Sequence, residues 1–475
     1  MLEALLLVAL TTLSLLAAGH VLLHKRDPRA AFGWVVVCCV LPGLGPLGYW
    51  LIGINRIRTR ARDWQAKLPG NGAAEASFCS WSLLQGQSIA FSEEGYAALV
   101  SLADAVTRRP LLPGNRVVAL HNGEQAFPAM LKAIAGARES VYLASYIFDS
   151  DGTGQAFVEA LTQAADRDLD VRVLLDGLGE RYSFPIARRL FKGSAVAISL
   201  FLPPSLSGRG LHFNLRNHRK LLIIDNGLGF TGGMNISDRH LANTSSRFQT
   251  IDVHFGIEGP VVGQMLEAFM EDWHFATGDV SPPINYPEPL PGGTAFCRGI
   301  SAGPNEDFEK LHWIILGAIG CAQRRLRIMT PYFIPDLTLL AVLNAAALRG
   351  VKVDIVLPAK NNLPFVNWAS RAYFSELLEH GCRIYYQRPP FVHSKLLLVD
   401  DQYALVGSAN LDPRSLRLNF EFNLEIFDRA LVTSLTKHVD SVATDAWEVT
   451  QKGLDSLPVI SRLRDNFAKL FSPYL

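Results

Sequence analysis

The sequence has almost no net charge. Its 475 residues hold 45 Lys and Arg against 44 Asp and Glu, a formal net charge of +1. Residues 1–62 alone carry seven basic and two acidic side chains, so the rest of the chain has a net charge of −4. A slightly acidic portion lacks the basic surface with which proteins neutralise the phosphates of nucleic acids. The composition therefore argues against a nucleic-acid-binding protein.

Cysteines are few and show no pairing pattern. The six are Cys38, Cys39, Cys79, Cys297, Cys321 and Cys382. Without a disulfide framework they are expected to be free thiols, which favours a reducing compartment for the portion after the N-terminus. His, Cys, Asp and Glu also nowhere show the spacing of metal ligands. We therefore expect neither a cofactor nor a metal.

Long uncharged runs lie at the N-terminus. Ala4 to Leu23 holds twenty residues without a charge, enough for a helix to cross a bilayer. A cleaved signal peptide is one alternative, but Glu3 stands where such a peptide is basic. The second run, Ala30 to Ile54, is interrupted by Pro and Gly and is either a kinked span or a re-entrant hairpin. Buried helices are the other interpretation of both runs. Residues 1–62 are expected to form a membrane anchor with two hydrophobic segments.

Basic residues near these runs indicate an orientation. Three lie in the turn between the runs and four follow the second run: Lys25, Arg26, Arg29, Arg56, Arg58, Arg60 and Arg62. The small excess after the second run favours a hairpin in a cell membrane with both ends cytoplasmic. The arginines of residues 56–62 are expected to contact anionic headgroups.

After a polar connector near residues 68–77, predicted strands and helices alternate in two similar halves. The first half gives a strand at 141–148, a helix at 154–165 and a strand at 170–176, and the second gives a strand at 326–333, a helix ending at 349 and a strand at 351–357. Five prolines within 281–291 indicate a linker. The predicted domains are residues 1–62, 63–280, the linker 281–293, and 294–475. This is an α/β fold class with a repeated unit.

One motif occurs twice. His218-Arg-Lys220-Leu-Leu-Ile-Ile-Asp225 returns 175 residues later as His393-Ser-Lys395-Leu-Leu-Leu-Val-Asp400. With 12 His in the chain, about 0.03 such matches would arise by chance at ordinary residue frequencies. Each copy leads into a turn of small residues that ends in Asn: Thr231-Gly232-Gly233-Met-Asn235 and Gly407-Ser408-Ala-Asn410.

The residue types of the motif suit phosphoryl chemistry. Side chains alternate along a strand, so each His shares a face with its Lys. The Lys supplies positive charge to phosphoryl oxygens, and the His can attack phosphorus or move a proton near neutral pH. Asp225 and Asp400 lie at odd offsets and are expected to point away and hold the strand and turn. A His that merely fills a strand end is the alternative for each copy.

These motifs and their Asn-containing tails resemble the phospholipase D superfamily, and the run from Gly407 to Glu421 resembles the bacterial cardiolipin synthases. The resemblance covers most of the chain. It implies two phospholipase D-like α/β sandwich halves with pseudo-twofold symmetry, preceded by an N-terminal transmembrane hairpin. The halves would pack face to face and form a single site. One His would form a phosphohistidine, and the other would protonate the leaving alcohol.

The resemblance also implies roles for individual residues. His218 is expected to be the nucleophile and His393 the acid and then the base. The catalytic motifs are completed by Lys220, Asp225, Lys395 and Asp400, and the substrate-binding residues are Asn235, Asn410 and Ser408. Family members carry an acid on a strand after the Asn, which matches Asp252 and Glu421, 34 and 28 residues after the His of their own copy. A solvated strand acid is the alternative for each. Gly233 replaces Ser408 in the first copy, so a hydroxyl contact with phosphate would be one-sided.

The function that this resemblance implies is that of a membrane-bound phosphatidyltransferase, which joins two phosphatidylglycerols into cardiolipin and releases glycerol. The nearest alternative is a phospholipase D-type hydrolase, because nothing in the motif decides between water and an alcohol as acceptor. A phosphatidylserine synthase, a nuclease of the superfamily and an inactive membrane scaffold are further alternatives. The expected partners are phospholipids and the bilayer, without nucleic acid.

Three segments outside the motifs are expected to contact lipid or substrate. Phe201 to Phe213 and Ile384 to Phe391 each precede a motif His and are predicted walls of the site. Near the C-terminus, Val459 to Phe471 has the pattern of an amphipathic helix with basic residues on its other face. An ordinary packing helix is the alternative for this last segment.

Overall fold

The computed structural model describes residues 1–25, 28–53, 95–203, 215–243, 249–279, 284–304 and 309–472. The chain divides into two compact units, Met1–Gln87 and Ser88–Leu475. The connector near residues 68–77, Arg26, the arginines of residues 56–62 and most of the segment from Phe201 to Phe213 lie outside the described residues. The predictions made for them therefore stay predictions.

The N-terminal unit consists of short apolar helices packed on a longer one. Its elements are α1 (Leu2–His24), α2 (Pro28–Val40), α3 (Leu44–Gly48) and a π-helical turn (Tyr49–Gly53). Among the described residues, the stretch Glu3–His24 alone forms a helix long and apolar enough to cross a membrane. The second uncharged run is broken between α2 and α3. Since α2 has 13 residues, it rises roughly 20 Å at 1.5 Å per residue, less than the ~30 Å of a bilayer core.

The larger unit contains the repeated strands and helices. The strands of the first half and the centre are β1 (Leu112–His121), β2 (Ser140–Ser145), β3 (Asp170–Asp176), β4 (Ala197–Phe201), β5 (Leu221–Ile224), β6 (Leu228–Gly232), β7 (Thr250–Ile251) and β8 (Val253–Glu258). The remaining strands are β9 (Ala295–Ala302), β10 (Arg325–Met329), β11 (Lys352–Pro358), β12 (Arg383–Gln387), β13 (Phe391–Val392), β14 (Leu396–Val399), β15 (Tyr403–Gly407), β16 (Glu421–Phe427) and β17 (Trp447–Val449).

The helices of this unit follow in the same order. They are α4 (Ala97–Thr107), α5 (Asn122–Gly136), α6 (Gly152–Ala165), α7 (Val261–Thr277), α8 (Lys310–Cys321), α9 (Leu337–Leu348), α10 (Pro364–Arg371), α11 (Phe374–Glu379), α12 (Pro413–Arg417), α13 (Arg429–Asp445), α14 (Gln451–Asp455) and α15 (Val459–Lys469). The strands and helices predicted from the sequence are present, with β2 and β10 ending earlier than expected, at Ser145 and Met329.

One sheet runs through both halves. Its strand order is β17-β12-β11-β10-β14-β15-β16-β9-β1-β8-β6-β5-β2-β3-β4. Outward from the central pair β9 and β1, six strands follow in the equivalent order on both sides, and β17 is added at the edge of the second half. The central pair is antiparallel, with Leu112 opposite Cys297 and Asn115 opposite Ala295. Each motif supplies a strand at the same place in its half, β5 in the first and β14 in the second. The fold is therefore a pseudo-twofold α/β sandwich.

The core lies on both faces of this sheet. The motif strands are buried on both sides, as their unbroken Leu, Ile and Val runs predict. Leu221 and Ile223 of β5 and Leu396 and Leu398 of β14 point to one layer, which α7 and α13 cover across both halves. Their neighbours in sequence point to separate cores on the other face, one in each half. The shared layer holds the two halves in register.

The domain boundary is less simple than the sequence suggested. The helix α4 precedes β1 and falls within the predicted first half, yet Leu99 and Ala103 pack in the core of the second half with Ile314 and Ala318 of α8. The first helix of the larger unit therefore belongs by its packing to the second half, although the first half follows it in the sequence. Of the predicted Pro-rich linker, residues 284–293 are described and run to β9.

Candidate active site

Each motif His is anchored to the backbone of the other half. The His218 N–H donates to the Phe420 carbonyl at 2.8 Å, and the His393 N–H donates to the Ile251 carbonyl at 2.8 Å. Phe420 and Ile251 each directly precede a predicted acid. The strand β13 before His393 pairs in parallel with β7 before Asp252, and Asn217 forms the matching bridge with Phe420. The two motifs therefore meet at one site on the pseudo-twofold axis.

The carboxylates behind the histidines are exchanged between the halves. His218 Nδ1 lies 2.9 Å from Glu421 Oε2, and His393 Nδ1 lies 3.0 Å from Asp252 Oδ2. Sequence order associates each acid with the His of its own copy, whereas the structure pairs it with the His of the other copy. Both carboxylates are fully buried, while the histidine side chains keep 12% and 11% of their surface exposed. Each imidazole is thus fixed at Nδ1 by a buried carboxylate and keeps a small exposed surface.

The electrostatics of the pairs fix the histidine tautomers. Burial, which outweighs the carboxylate, lowers the pKa of His218 to about 4 and, together with the Lys395 charge, that of His393 to about 3. Burial opposes ionisation of Asp252, but the hydrogen bond with His393 and the Lys395 charge prevail and lower its pKa to about 2. The pKa of Glu421 is likewise lowered, against burial, by His218. A carboxylate can only accept, so Nδ1–H donates to it and the lone pair lies on Nε2, which in His393 faces the Lys395 ammonium.

Two lysines place positive charge beside the imidazoles. Lys220 Nζ donates to the His218 carbonyl at 2.7 Å, and Lys395 Nζ donates to the His393 carbonyl at 2.5 Å and lies 3.1 Å from His393 Nε2. Burial lowers the pKa of Lys220 to about 7 and that of Lys395 to about 8. The Lys220 ammonium also lies over the Tyr146 ring, with Nζ 5.5 Å from the ring centroid. Burial disfavours the positive charge of both ammonium groups, and a bound anion would offset this effect.

The predicted phosphate-binding residues differ in their contacts. Asn235 Oδ1 accepts the Ile147 N–H at 3.2 Å, and Asn410 Nδ2 donates to Ser415 Oγ at 3.2 Å. Ser408, expected to contact phosphate, instead donates to Glu421 Oε2 at 2.5 Å and accepts the Phe422 N–H at 3.0 Å. Its hydroxyl is committed to the carboxylate that holds His218. The longer Glu side chain reaches the turn and makes this contact, and the expected contact of Ser408 with phosphate stays a prediction.

The glycine that replaces this serine has a steric reason. A Cβ at Gly233 would lie 2.4 Å from Asp252 Oδ2. The first copy therefore combines a short acid with a Gly, and the second copy combines a longer acid with a Ser hydroxyl that binds it. The exchange of Gly233 for Ser408 between the two turns thus accompanies the difference between the two acids.

The motif aspartates lie away from the histidines, at the other end of each strand. Asp225 accepts the backbone N–H groups of Arg138, Glu139 and Ser140 at 2.9, 2.8 and 2.9 Å. Asp400 accepts those of Gln323, Arg324 and Arg325 at 3.1, 2.8 and 2.9 Å. Each Asp lies five residues after its Lys, roughly 16 Å along an extended strand at 3.3 Å per residue. Both aspartates bind the turn before the neighbouring strand rather than the reacting groups.

Two further buried histidines adjoin the site and were not singled out from the sequence. His240 Nε2 accepts the Asn235 N–H at 3.2 Å, and its ring centroid lies 6.3 Å from that of His393. His254 lies opposite Gly232 on β8, as Asn423 lies opposite Gly407 on β16. Burial lowers the pKa of both histidines to about 4. The sequence does contain a signal for His240, namely its position in the repeat. His240 lies five residues after Asn235, as Ser415 lies five residues after Asn410.

The predicted walls of the site are only partly in place. Phe391 is half-buried, and its ring centroid lies 5.9 Å from that of His393 and 6.4 Å from that of Tyr332. Phe201 is instead fully buried in the core behind Phe420, with the ring centroids 4.9 Å apart. It cannot line the site, because β4 carries it into the shared apolar layer.

Comparisons with known proteins show what this chain is similar to. A family model described as "Cardiolipin synthase, PLD-like domain" matches residues 130–273 and 315–443, and one described as "Phospholipase_D-nuclease N-terminal" matches residues 12–53. Cardiolipin synthase A of Pseudomonas putida is 32% identical over 465 residues, 98% of this chain and 96% of that protein. Cardiolipin synthase A of Pseudomonas aeruginosa is 32% identical over 475 residues, 99% of this chain and 96% of that protein. The crystal structure of phosphatidylserine synthase from Haemophilus influenzae shares the fold, with a TM-score of 0.63 at 16% identity over 79% of this chain and all of that one.

Proposed function

This chain belongs to the cardiolipin synthase family of phospholipase D-like proteins, and on that premise we propose that it joins two phosphatidylglycerols into cardiolipin and releases glycerol. It is a phospholipid phosphatidyltransferase of a membrane, whose N-terminal helix α1 is long and apolar enough to span one. The chemistry rests on one observation: two His–carboxylate contacts are exchanged between the halves, beside two lysines. Each carboxylate holds Nδ1 of its histidine, so the two Nε2 atoms are left to act on one phosphate.

The first half-reaction forms a phosphohistidine. Neutral His218 attacks the phosphorus of the donor through Nε2, while Glu421 stabilises the charge that develops on the imidazole. The bond between phosphorus and the glycerol oxygen breaks, and His393 gives that oxygen a proton. His393 needs to be protonated for this step. Burial and the Lys395 charge lower the pKa of His393 to about 3, and the anionic phosphate of the donor offsets both effects, so that His393 takes up a proton from solvent.

The second half-reaction transfers the phosphatidyl group. Neutral His393 takes the proton from a hydroxyl of the second phosphatidylglycerol, and the oxygen attacks the phosphorus as the bond to His218 breaks. Lys220 and Lys395 offset the charge on the phosphoryl oxygens in both steps, and Asn235 and Asn410 complete the set around the phosphate. Phosphatidylglycerol is anionic, which suits two buried ammonium groups.

The proposed membrane arrangement is a multi-pass anchor in the cell membrane with the larger unit in the cytoplasm. It is supported by the basic residues that follow the second uncharged run, which outnumber those in the turn between the two runs. Accessibility labelling of a Cys introduced at an exposed position of the larger unit, in intact and in opened cells, tests it. Labelling in intact cells would contradict the orientation.

The function is tested by identifying the products of the purified full chain from phosphatidylglycerol in vesicles. We expect cardiolipin and glycerol in equal amounts, and no product from a His218→Ala variant. Phosphatidic acid as the main lipid product would show instead that water is the acceptor. In that case the chemistry of the site would stand and the proposed acceptor would be wrong.

A further inference from the structure

The helix α15 turns its apolar face outward. The large apolar side chains of α15, and those of the two residues directly after it, are between 42% and 73% exposed. They are Val459, Ile460, Leu463, Phe467, Leu470 and Phe471. We refer to these six residues as the α15 surface. Soluble proteins rarely leave such a contiguous apolar patch uncovered unless it binds something.

The helix is attached through its polar side, which is the reverse of an ordinary packing helix. The buried residues of α15 are Asp465 and Ala468. The Asp465 carboxylate accepts from Arg371 Nε at 2.5 Å and from Arg371 Nη2 at 2.8 Å, and just beyond the helix Tyr373 donates to Ser472 Oγ at 3.0 Å. The attachment is specific, so the outward direction of the α15 surface is built into the fold.

The charges beside the α15 surface are positive. Arg462 is exposed, Arg464 lies with its guanidinium 4.6 Å from the Trp368 ring centroid, and Lys469 Nζ lies 4.1 Å from that of Tyr373. The acid of this helix, Asp465, is buried and pairs with both Arg371 and Arg464, so the group of three keeps one net positive charge. An apolar strip flanked by basic side chains matches a layer that is apolar inside and anionic at its surface.

A short series of contacts joins this surface to the active site. The Phe471 ring centroid lies 5.7 Å from that of Phe365 in α10. Just before α10, Asn362 Oδ1 accepts from the Tyr332 hydroxyl at 2.7 Å. The Tyr332 ring in turn neighbours Phe391, whose ring neighbours His393. The α15 surface therefore borders the same side of the second half as the proposed acid.

We propose that the α15 surface docks on the anionic phospholipid bilayer and holds the His393 side of the site at headgroup level. A phosphodiester can then reach the two imidazoles while its acyl chains stay in the bilayer. This inference rests on the proposed function only in taking a membrane phospholipid as substrate. A second copy of the chain and another protein are the competing occupants.

A double substitution in the full chain tests the proposal. We expect Ile460→Ser with Leu463→Ser to lower turnover of phosphatidylglycerol in vesicles at least tenfold and to leave turnover of a monodisperse short-chain phosphatidylglycerol within twofold. The matched control is Leu337→Ser with Leu348→Ser, two leucines of α9 that are 64% and 71% exposed. The control should change neither activity.

The soluble donor separates the two ideas under test. Equal losses on both donors would mean that the substitutions damage the fold or the site, and no loss on vesicles would mean that nothing docks there. Either result overturns the docking surface. A wild-type chain that fails on both donors would instead contradict the proposed function.

Photocrosslinking identifies the occupant. A benzophenone amino acid in place of Leu463 is activated in the full chain, reconstituted in vesicles of equal phosphatidylglycerol and phosphatidylethanolamine. We expect adducts with phospholipid. Adducts with a second copy of the chain, or a lower oligomeric state of the double variant, would show that the α15 surface is a protein interface.

Discussion

At the scale of single residues, the two motif histidines have matched contacts but unequal neighbours. The carboxylate at His218 is Glu421, which also accepts a hydrogen bond from Ser408. The carboxylate at His393 is Asp252, which lies where a Cβ of Gly233 would clash. The Lys395 ammonium also lies 3.1 Å from Nε2 of His393. These differences give each histidine a distinct environment, as expected if they perform different steps.

The proposed roles predict different labelling of two variants. With a phosphate-labelled lipid donor, His218→Ala should give no covalent label because the nucleophile is lost. His393→Ala should retain some label while turnover falls by about three orders of magnitude, because only the proton transfers are lost. Acid-labile protein-bound phosphate is the measurement. Label on His218→Ala but none on His393→Ala would reverse the roles.

The lowered pKa values predict a bell-shaped pH dependence. Burial holds the pKa of Lys220 at about 7, so its charge is present below that pH and is lost above it. On the acid side, His218 with its pKa of about 4 becomes protonated and loses its lone pair. We expect kcat/KM to fall on both sides of this range. The alkaline limb of kcat should lie at higher pH, since bound phosphate raises the pKa of the lysines.

A substitution at Lys220 tests the cause of the alkaline limb. Lys220→Arg keeps its charge at every accessible pH, so the alkaline limb of its lower activity should move from about pH 7 to about pH 8, where Lys395 loses its charge. An alkaline limb that is unchanged in this variant would assign the limb to another group.

His240 is expected to position Asn235. Because the equivalent residue of the other half is Ser415, His240→Ser should keep the fold, yet it should lower kcat about tenfold, equivalent to ~1.4 kcal/mol, with KM little changed. His254→Asn, which copies Asn423 of the second half, is the matched control and should stay within twofold. A lower melting temperature of His240→Ser with normal kcat would leave this histidine a purely structural role.

The sequence located the residues of the site better than it located their partners. The repeat marks His218, His393 and their lysines because a local pattern recurs with its spacing intact. The exchange of Asp252 and Glu421 is set by the pairing of strands from different halves, which no local pattern encodes. The contact of Ser408 with Glu421 could not be predicted for the same reason, since it depends on the fold.

At the scale of elements, helix and strand periods predicted most of the repeated unit. The two strands that were expected to run to Phe148 and Phe333 end three or four residues earlier. The later residues, although apolar, form isolated bridges with the turns after the motif Asn residues. The helix α4 was not predicted, and its packing on the second half depends on contacts far apart in the sequence.

The motif aspartates should affect stability rather than chemistry. Asp225→Ala removes three hydrogen bonds to the backbone, at a residue with φ of +49°. We expect the free energy of unfolding to fall by about 2 kcal/mol, with kcat of the folded protein unchanged. Asp225→Asn, which keeps an acceptor and tolerates this φ, should lose less. Denaturant unfolding measures both, and a stable but inactive Asp225→Asn would place the carboxylate in the reaction.

At the scale of the whole molecule, the anchor and the larger unit are separable in principle. The larger unit has its own cores, so a chain that starts at Asp63 should fold and turn over a monodisperse short-chain donor. Its activity on vesicles should fall tenfold or more, because the effective concentration of lipid at the site decreases. Initial rates on the two donors are the measurement. Complete loss on both would show that residues 1–62 help to build the site.

The exchanged carboxylates say something about how such a chain could have arisen. One half alone has a histidine without its acid and an acid without its histidine, so it is chemically incomplete. Two identical halves related by a twofold axis would complete each other, because each would lend its acid to its neighbour's histidine. The geometry is therefore that of two homodimer subunits joined in one chain. A single chain lets the two copies differ, and the pairs Gly233 and Ser408, and His240 and Ser415, are positions at which this site departs from twofold symmetry.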